Sequence, residues 1–163
     1  MKIELRQLSL TDGTEITEML QEIGPGENGF ENTGYDTPLD EYLEKYNKQS
    51  QGIDLPEGYV PQTIYRLYID NIPVGYGKLR HHLTEFLIKA GGHSGYCIRP
   101  SARGKGYGNI ILQELIKKAQ EKGITKMLLT CNPDNTPSRK IIEKNGGILE
   151  NIEEKCRYWI DIK

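Results

Sequence analysis

The chain has 163 residues, enough for one hydrophobic core, and the sequence predicts a single domain spanning 1–163. Lys and Arg total 21 against 23 Asp and Glu, so the net charge of −2 supplies no global basic field for nucleic acid or a membrane surface. No window approaches the roughly 18 apolar residues of a membrane span, and residues 1–6 alternate like a strand instead of forming the apolar core of a signal peptide.

In chain order, residues 2–8 read as a first strand. Thr11 and Asp12 are candidate caps for a helix with Ile16, Met19, Leu20 and Ile23 on one face. A glycine-rich loop follows from Gly24. Thr37-Pro38-Leu39-Asp40 reads as a second helix start, and 47–61 as a polar loop. Residues 63–69 and 72–80 form an antiparallel hairpin about Asp70-Asn71. Residues 81–92 are a connection with room for a short helical turn. Then come a strand ending at Ile98, a glycine-rich turn, and a helix carrying Ile111, Leu112, Leu115, Ile116 and Ala119 to a stop at Gly123. Residues 126–131 are a strand, a helix starts near Thr136 and stops at Asn145-Gly146-Gly147, and two closing strands follow. The order is α/β or α+β, with a mixed sheet of about seven strands and about four helices.

The turn between Ile98 and Gly108 carries the chemistry. Pro100 ends the strand. Gly104, Gly106 and Gly108 have no Cβ, so an anion can approach their backbone. The N–H groups opening the next helix, from Tyr107 on, lack intrahelical partners and carry the positive end of the helix dipole. Arg103 and Lys105 add full charges. The stretch reads as a phosphate site, suited to a pyrophosphate. Its glycine spacing fits neither G-x-G-x-x-G nor a Walker A loop.

Arg103-x-x-Gly106-x-Gly108, set between strand and helix, resembles the coenzyme A loop of the GNAT superfamily of acyl-CoA-dependent N-acyltransferases. Asn135-x-x-Ser138 opening the last helix, and the run to Gly146, are similar to the same family. The resemblance is strongest over 92–147; residues 1–80 match only in element order. It implies a GNAT fold with 1–92 as the acceptor side, 93–147 as the coenzyme A-binding core and 148–163 as a closing hairpin. It implies direct transfer of an acetyl group from acetyl-CoA to a primary amine of a small molecule or protein. The N–H of Ile98 is the candidate for polarising the thioester carbonyl, and Asn135 and Ser138 for contacting the pantetheine arm, unless they serve only as caps. Two positions depart from the family: Ile142 aligns with a Tyr that often protonates the departing thiolate, and Gly147 with an aromatic. A non-catalytic acyl-CoA-binding or sensor domain is the alternative, and a homodimer is compatible with either.

His93 is the first candidate for the base, since an unperturbed imidazole accepts a proton near neutrality; a histidine with no catalytic role is an equal alternative. Glu85 and His81 are weaker candidates. Tyr158, Tyr107 and Cys131 are candidates for the acid, although Cys131 reads first as a small buried residue. Glu27, Glu31 and Asp36 could attract a cationic amine such as a polyamine or aminoglycoside, but a charge run is usually a solvated face. No cysteine pair or histidine cluster has metal spacing, and Cys97, Cys131 and Cys156 suggest reduced thiols in the cytoplasm.

Overall fold

The computed structural model describes residues 1–27 and 30–162, with Glu27 and Phe30 described by their backbone alone. Among them, seven strands form two antiparallel sheets, and five α-helices pack on them. The first sheet is β1 (Ile3–Gln7), β4 (Gln62–Ile69), β5 (Ile72–Arg80) and β6 (Ser94–Ile98), in the order β1-β4-β5-β6. The second is β7 (Lys126–Cys131), β8 (Ile148–Ile152) and β9 (Cys156–Asp161), in the order β7-β9-β8. A two-stranded ribbon, β2 (Gly26–Glu27) with β3 (Phe30–Glu31), forms a separate hydrogen-bonded ladder. The helices are α1 (Thr14–Ile23), α2 (Leu39–Ser50), α3 (Glu85–Lys89), α4 (Tyr107–Glu121) and α5 (Thr136–Lys144).

Side chains alternate across a strand, so β4 and β5 feed two cores. Tyr65, Leu67, Ile69 and Leu79 join Leu112 and Leu115 of α4 and Met127 and Leu129 of β7. Ile64, Tyr68 and Tyr76 point the other way, against Ile16, Met19 and Leu20 of α1 and Tyr42 and Leu43 of α2. The β4–β5 turn places Asp70 and Asn71 at φ 49° and 68°, and the Asp70 carboxylate accepts from Lys2 N at 2.8 Å.

Three local expectations change. Gly13, not Thr11 or Asp12, precedes α1, and no side chain caps it. The Asp12 carboxylate turns instead to the N–H of Ser9, 3.1 Å away, and lies 3.8 Å from the buried Arg66. Helix α2 runs on to Ser50, into the expected loop, because Tyr46 and Gln49 are buried and Gln49 accepts from Gln62 Nε2 at 2.6 Å. The sheet is not one mixed sheet, because β6 and β7 separate instead of pairing along their length.

The separation starts at one point. His93 N–H donates to Leu128 O at 2.8 Å, and Leu128 N–H donates back to His93 Nδ1 at 2.9 Å. Gly92 permits this approach: it sits at φ 62°, and a Cβ there would lie 2.5 Å from Leu128 O. Beyond the vertex both strands run on and diverge.

Candidate active site in the parting of two sheets

The divergence leaves two strand edges facing a cleft of about 510 Å³ lined by residues from β6, β7, α5 and the glycine turn. Arg80 N–H bonds His93 O and Arg99 N–H bonds Val74 O, so the odd-numbered residues of β6 spend their backbone groups on β5. By the alternation of an antiparallel ladder, Ser94, Tyr96 and Ile98 turn theirs toward the cleft. The same reasoning on β7, from Ile162 N–H to Thr125 O, turns Thr130 into the gap. Unpaired amides at the edge of a sheet are a template for an extended, amide-bearing chain.

The turn closes one end. Pro100–Ala102 form a short 3-10 turn, and Gly104 and Gly106 take φ 80° and 82°, with Gly106 preceding α4. Ile98, Arg103, Gly104, Gly106, Tyr107, Gly108, Asn135 and Ser138 all line the cleft. Lys105 is exposed and is not among the lining residues. Arg103 Nε donates to Ile98 O at 3.0 Å, which folds the turn back on the end of β6. Asn135 opens α5 and accepts from Ser138 N at 3.4 Å, so its capping role is present while it faces the cleft.

Glu22 of α1, a residue the sequence pattern does not single out, fixes this turn. Its carboxylate accepts from Arg99 Nε and Nη2 at 3.0 and 2.8 Å, and from Ser101 N and Oγ at 2.7 and 3.0 Å. Burial alone would raise its pKa, but these donors outweigh it and hold the carboxyl down at about 2. Glu22 lies 77 positions from Arg99, so no local signal could have found the pair.

Of the expected acid and base candidates, Tyr107 and Cys131 line the cleft, and His93, Glu85, His81 and Tyr158 do not. His93 is buried, its Nδ1 accepts from Leu128, and burial together with the charge of Arg80 pulls the imidazole down to about 4. It holds the vertex as a neutral ring and is not among the cleft-lining residues. Glu85 is exposed on the first turn of α3. His81 bonds Thr63 through Nε2 at 2.8 Å. Tyr158 is fully buried behind α5, donating to Glu143 at 2.7 Å and accepting from Arg139 at 3.0 Å. Cys131 does line the cleft, but burial, chiefly, raises its thiol to about 11. Ile142, which the resemblance sets against the usual tyrosine, lines it as well.

A different phenol is present. Tyr96 lines the cleft, and its buried hydroxyl has no hydrogen-bond partner among the described residues. Burial raises it to about 12; Ser138 acts the other way but meets it outside hydrogen-bonding geometry. A buried orphan hydroxyl is costly unless something else completes it.

A second cleft of about 490 Å³ adjoins the first, and Lys78, Arg80, Gly91, Thr130 and Cys131 line both. Its walls are Tyr42, Tyr46, Tyr59 and Tyr76, with Phe86 and Lys155 at its edge. Of the expected acidic residues Glu31 lines it, Asp36 is exposed elsewhere, and the Glu27 side chain lies outside the described residues. Among the described residues no group of three or more His, Cys, Asp or Glu could hold a metal ion, and no helix is long and apolar enough to cross a membrane.

Two parted sheets, an exposed strand edge and a glycine turn feeding a helix define an acyl-coenzyme A-dependent transferase architecture. Residues 25–147 match the model of the Acetyltransferase (GNAT) family, and the chain belongs to that family. It is similar to the putative phosphinothricin acetyltransferase YwnH of Bacillus subtilis, at 34% identity over 70 residues, which are 40% of this chain and 43% of the relative. The match thus spans less than half of that relative's length. Two solved structures share the fold. One is the ribosomal L7/L12 α-N-protein acetyltransferase RimL in complex with coenzyme A (TM-score 0.73, 18% identity, 98% of this chain and 94% of the other). The other is yncA of Salmonella typhimurium, a putative acetyltransferase with acetyl-CoA (TM-score 0.68, 15% identity, 99% and 94%).

Proposed function

We propose that this chain is one domain that transfers the acetyl group of acetyl-CoA to a primary amine. The observation that carries the proposal is the pair of strand edges, β6 at Ser94, Tyr96 and Ile98 and β7 at Thr130, that face a cleft ending on the Gly104–Gly106 turn. The amides of Tyr96 and Ile98 suit the pantetheine arm and the thioester carbonyl. The turn and the first N–H groups of α4 suit the pyrophosphate, with Arg103 beside them. Asn135 and Ser138 border the path between.

The bound coenzyme supplies an activated acyl group. The amine nitrogen attacks the carbonyl carbon, a C–N bond forms and the C–S bond breaks. The nitrogen gives up one proton to water, and the leaving sulfur takes one. Tyr96 is the residue that supplies the sulfur's proton: its hydroxyl stays protonated at neutral pH, faces the cleft and needs a partner. This replaces the family's missing tyrosine at Ile142. Acid catalysis contributes roughly 10²–10⁴-fold, so Tyr96→Phe is expected to slow turnover within that range.

The relatives' names point to acceptors of very different size, phosphinothricin for one and a ribosomal protein for another. A cytoplasmic enzyme, acting on a small molecule or protein and not on nucleic acid, with a homodimer admissible, completes the reading. The test is thiol release from acetyl-CoA across an amine panel, with product mass. Binding of acetyl-CoA without thiol release from any amine would instead favour an acyl-CoA-binding or sensor domain, the reading that the aliphatic Ile142 suggests.

A further inference from the structure

The second cleft is walled by aromatic rings from four parts of the chain. Tyr42 and Tyr46 come from α2, Tyr76 from β5, Tyr59 from the loop before β4 and Phe86 from α3. Tyr42, Tyr46 and Tyr76 are buried, whereas Tyr59 and Phe86 are 57% and 73% exposed. Single exposed rings are ordinary, but these two line the same cleft as three buried ones. Their backbones are anchored: Tyr59 N–H donates to Pro56 O at 3.0 Å, and Thr84 caps α3 by accepting from Leu87 N–H at 3.2 Å. The Tyr76 hydroxyl donates to Asn32 at 3.1 Å and the Tyr46 hydroxyl meets Thr33, so both buried rings are held by their polar ends.

These rings match an uncharged ring better than a further cation. The Arg66 guanidinium already lies 5.5 Å from the centroid of Tyr42, and the Lys45 ammonium 5.3 Å from that of Tyr46. Tyr42 and Tyr46 also meet each other, tilted by 59° with centroids 4.9 Å apart. Another cation on either ring would meet like charge, whereas an aromatic ring gains by edge-on or offset contact. The position suits the reaction. Gly91, Thr130 and Cys131 line both clefts, as does Lys78, two residues along β5 from Tyr76. Two residues of strand span about 7 Å, the reach of a short alkyl linker, so a ring seated on Tyr76 leaves its amine at the junction of the clefts.

We propose that the acceptor is a primary amine joined by a short linker to an aromatic ring, which packs among Tyr42, Tyr46 and Tyr76 beneath Tyr59 and Phe86. This rests on the acetyl-transfer reading and names its substrate class. An arylalkylamine and a peptide with an aromatic first residue offer the same chemistry, and Tyr59 and Phe86 determine specificity for it. Burial of the ring supplies binding energy away from the reacting nitrogen and holds that nitrogen at the thioester.

The test compares amines that differ in the ring. Thiol release from acetyl-CoA is measured with 2-phenylethylamine against ethylamine and hexylamine, with a phenylalanine-first against a glycine-first peptide of otherwise one sequence, and with spermidine, the amine that the Glu31 carboxylate would suit. Rates are expressed as kcat/KM per neutral amine, so that differences in basicity drop out. Burying a phenyl ring predicts a roughly 10- to 100-fold advantage for an aryl member over its ringless partner, with hexylamine between them and spermidine poorest. The amine and peptide arms tell a small molecule from a protein N-terminus. Tyr59→Ala with Phe86→Ala is expected to reduce the aryl advantage by about fivefold or more, while Tyr59→Phe with Phe86→Tyr keeps it; a merely structural role would change all rates together. Hexylamine equal to or above the aryl amine, a preference for spermidine, or an unchanged ratio in the double alanine variant overturns the proposal and leaves acetyl transfer standing. If no amine releases thiol, the acetyl-transfer reading fails, and the aryl site is read separately by saturation-transfer NMR of 2-phenylethylamine with coenzyme A present. A ring signal lost in the double alanine variant supports the site, and a signal absent from the wild type or unchanged in that variant overturns it.

Discussion

Replacing His93 by Leu separates a residue that shapes the cleft from one that performs chemistry in it. The ring is buried, accepts from Leu128 N–H, and its pKa is lowered from the usual value of 6.5 to about 4. The unfolded chain therefore binds a proton between pH 6.5 and 4 that the folded chain refuses. The stability His93 contributes is present in full above pH 6.5 and is lost as pH falls through 4. At about 1.4 kcal/mol per pKa unit, the loss amounts to roughly 3 kcal/mol. The Leu variant also leaves Leu128 N–H without its acceptor, which costs about 1–3 kcal/mol at every pH. Denaturant unfolding from pH 4 to 7.5 should show the wild type less stable than the variant predicts at low pH, with the two curves converging as pH falls. In kinetics the variant should scale the whole pH profile of kcat/KM without moving its acidic limb, because a group titrating near 4 is already neutral at working pH. Stability curves that stay parallel, or an imidazole titrating near 6.5 by NMR, would refute the reasoning. Loss of the acidic limb would return His93 to the role of base.

Glu22→Gln should weaken coenzyme A binding about 3- to 30-fold, since the amide nitrogen would face Ser101 N–H and the charge assistance to Arg99 is lost; pantetheine, lacking the pyrophosphate, should bind as before by calorimetry. Gly106→Ala places a Cβ in open space, so it should cost only about 1–2 kcal/mol of left-handed backbone strain, whereas Gly92→Ala drives a Cβ to 2.5 Å from Leu128 O and should cost considerably more in thermal unfolding. Asp12→Ala removes the carboxylate 3.8 Å from the fully buried Arg66 and should destabilise by about 3 kcal/mol, while Asp12→Ala with Arg66→Met should recover much of it in denaturant titration.

Elements with a strong local pattern were legible. The turn Arg103 to Gly108, the helix carrying Ile111, Leu112 and Leu115, the hairpin about Asp70-Asn71 and the Asn135 cap follow from spacing and from what glycine, proline and asparagine do to a backbone. These signals lie within a few residues of one another, so one sequence contains them. The resemblance to the family rested on the same short stretches, and Ile142, which that resemblance sets against the usual tyrosine, lines the cleft.

The partners decided by tertiary structure are far apart in the chain. His93 looked like a base because histidine titrates near neutrality, yet Leu128, 35 positions on, takes its Nδ1 and buries it. Tyr158 looked available until Arg139 and Glu143 closed on its hydroxyl. Tyr96 sat in a strand with nothing to mark it, and only the parting of β6 from β7 gives its hydroxyl a cleft to face. The acidic residues Glu27, Glu31 and Asp36 read first as a solvated face, whereas Glu31 lines the second cleft together with Lys78 and Arg80, which the alternation of β5 brings there. Local sequence determines which backbone conformations are affordable; burial, and therefore pKa and charge balance, is a property of neighbours that the fold brings together.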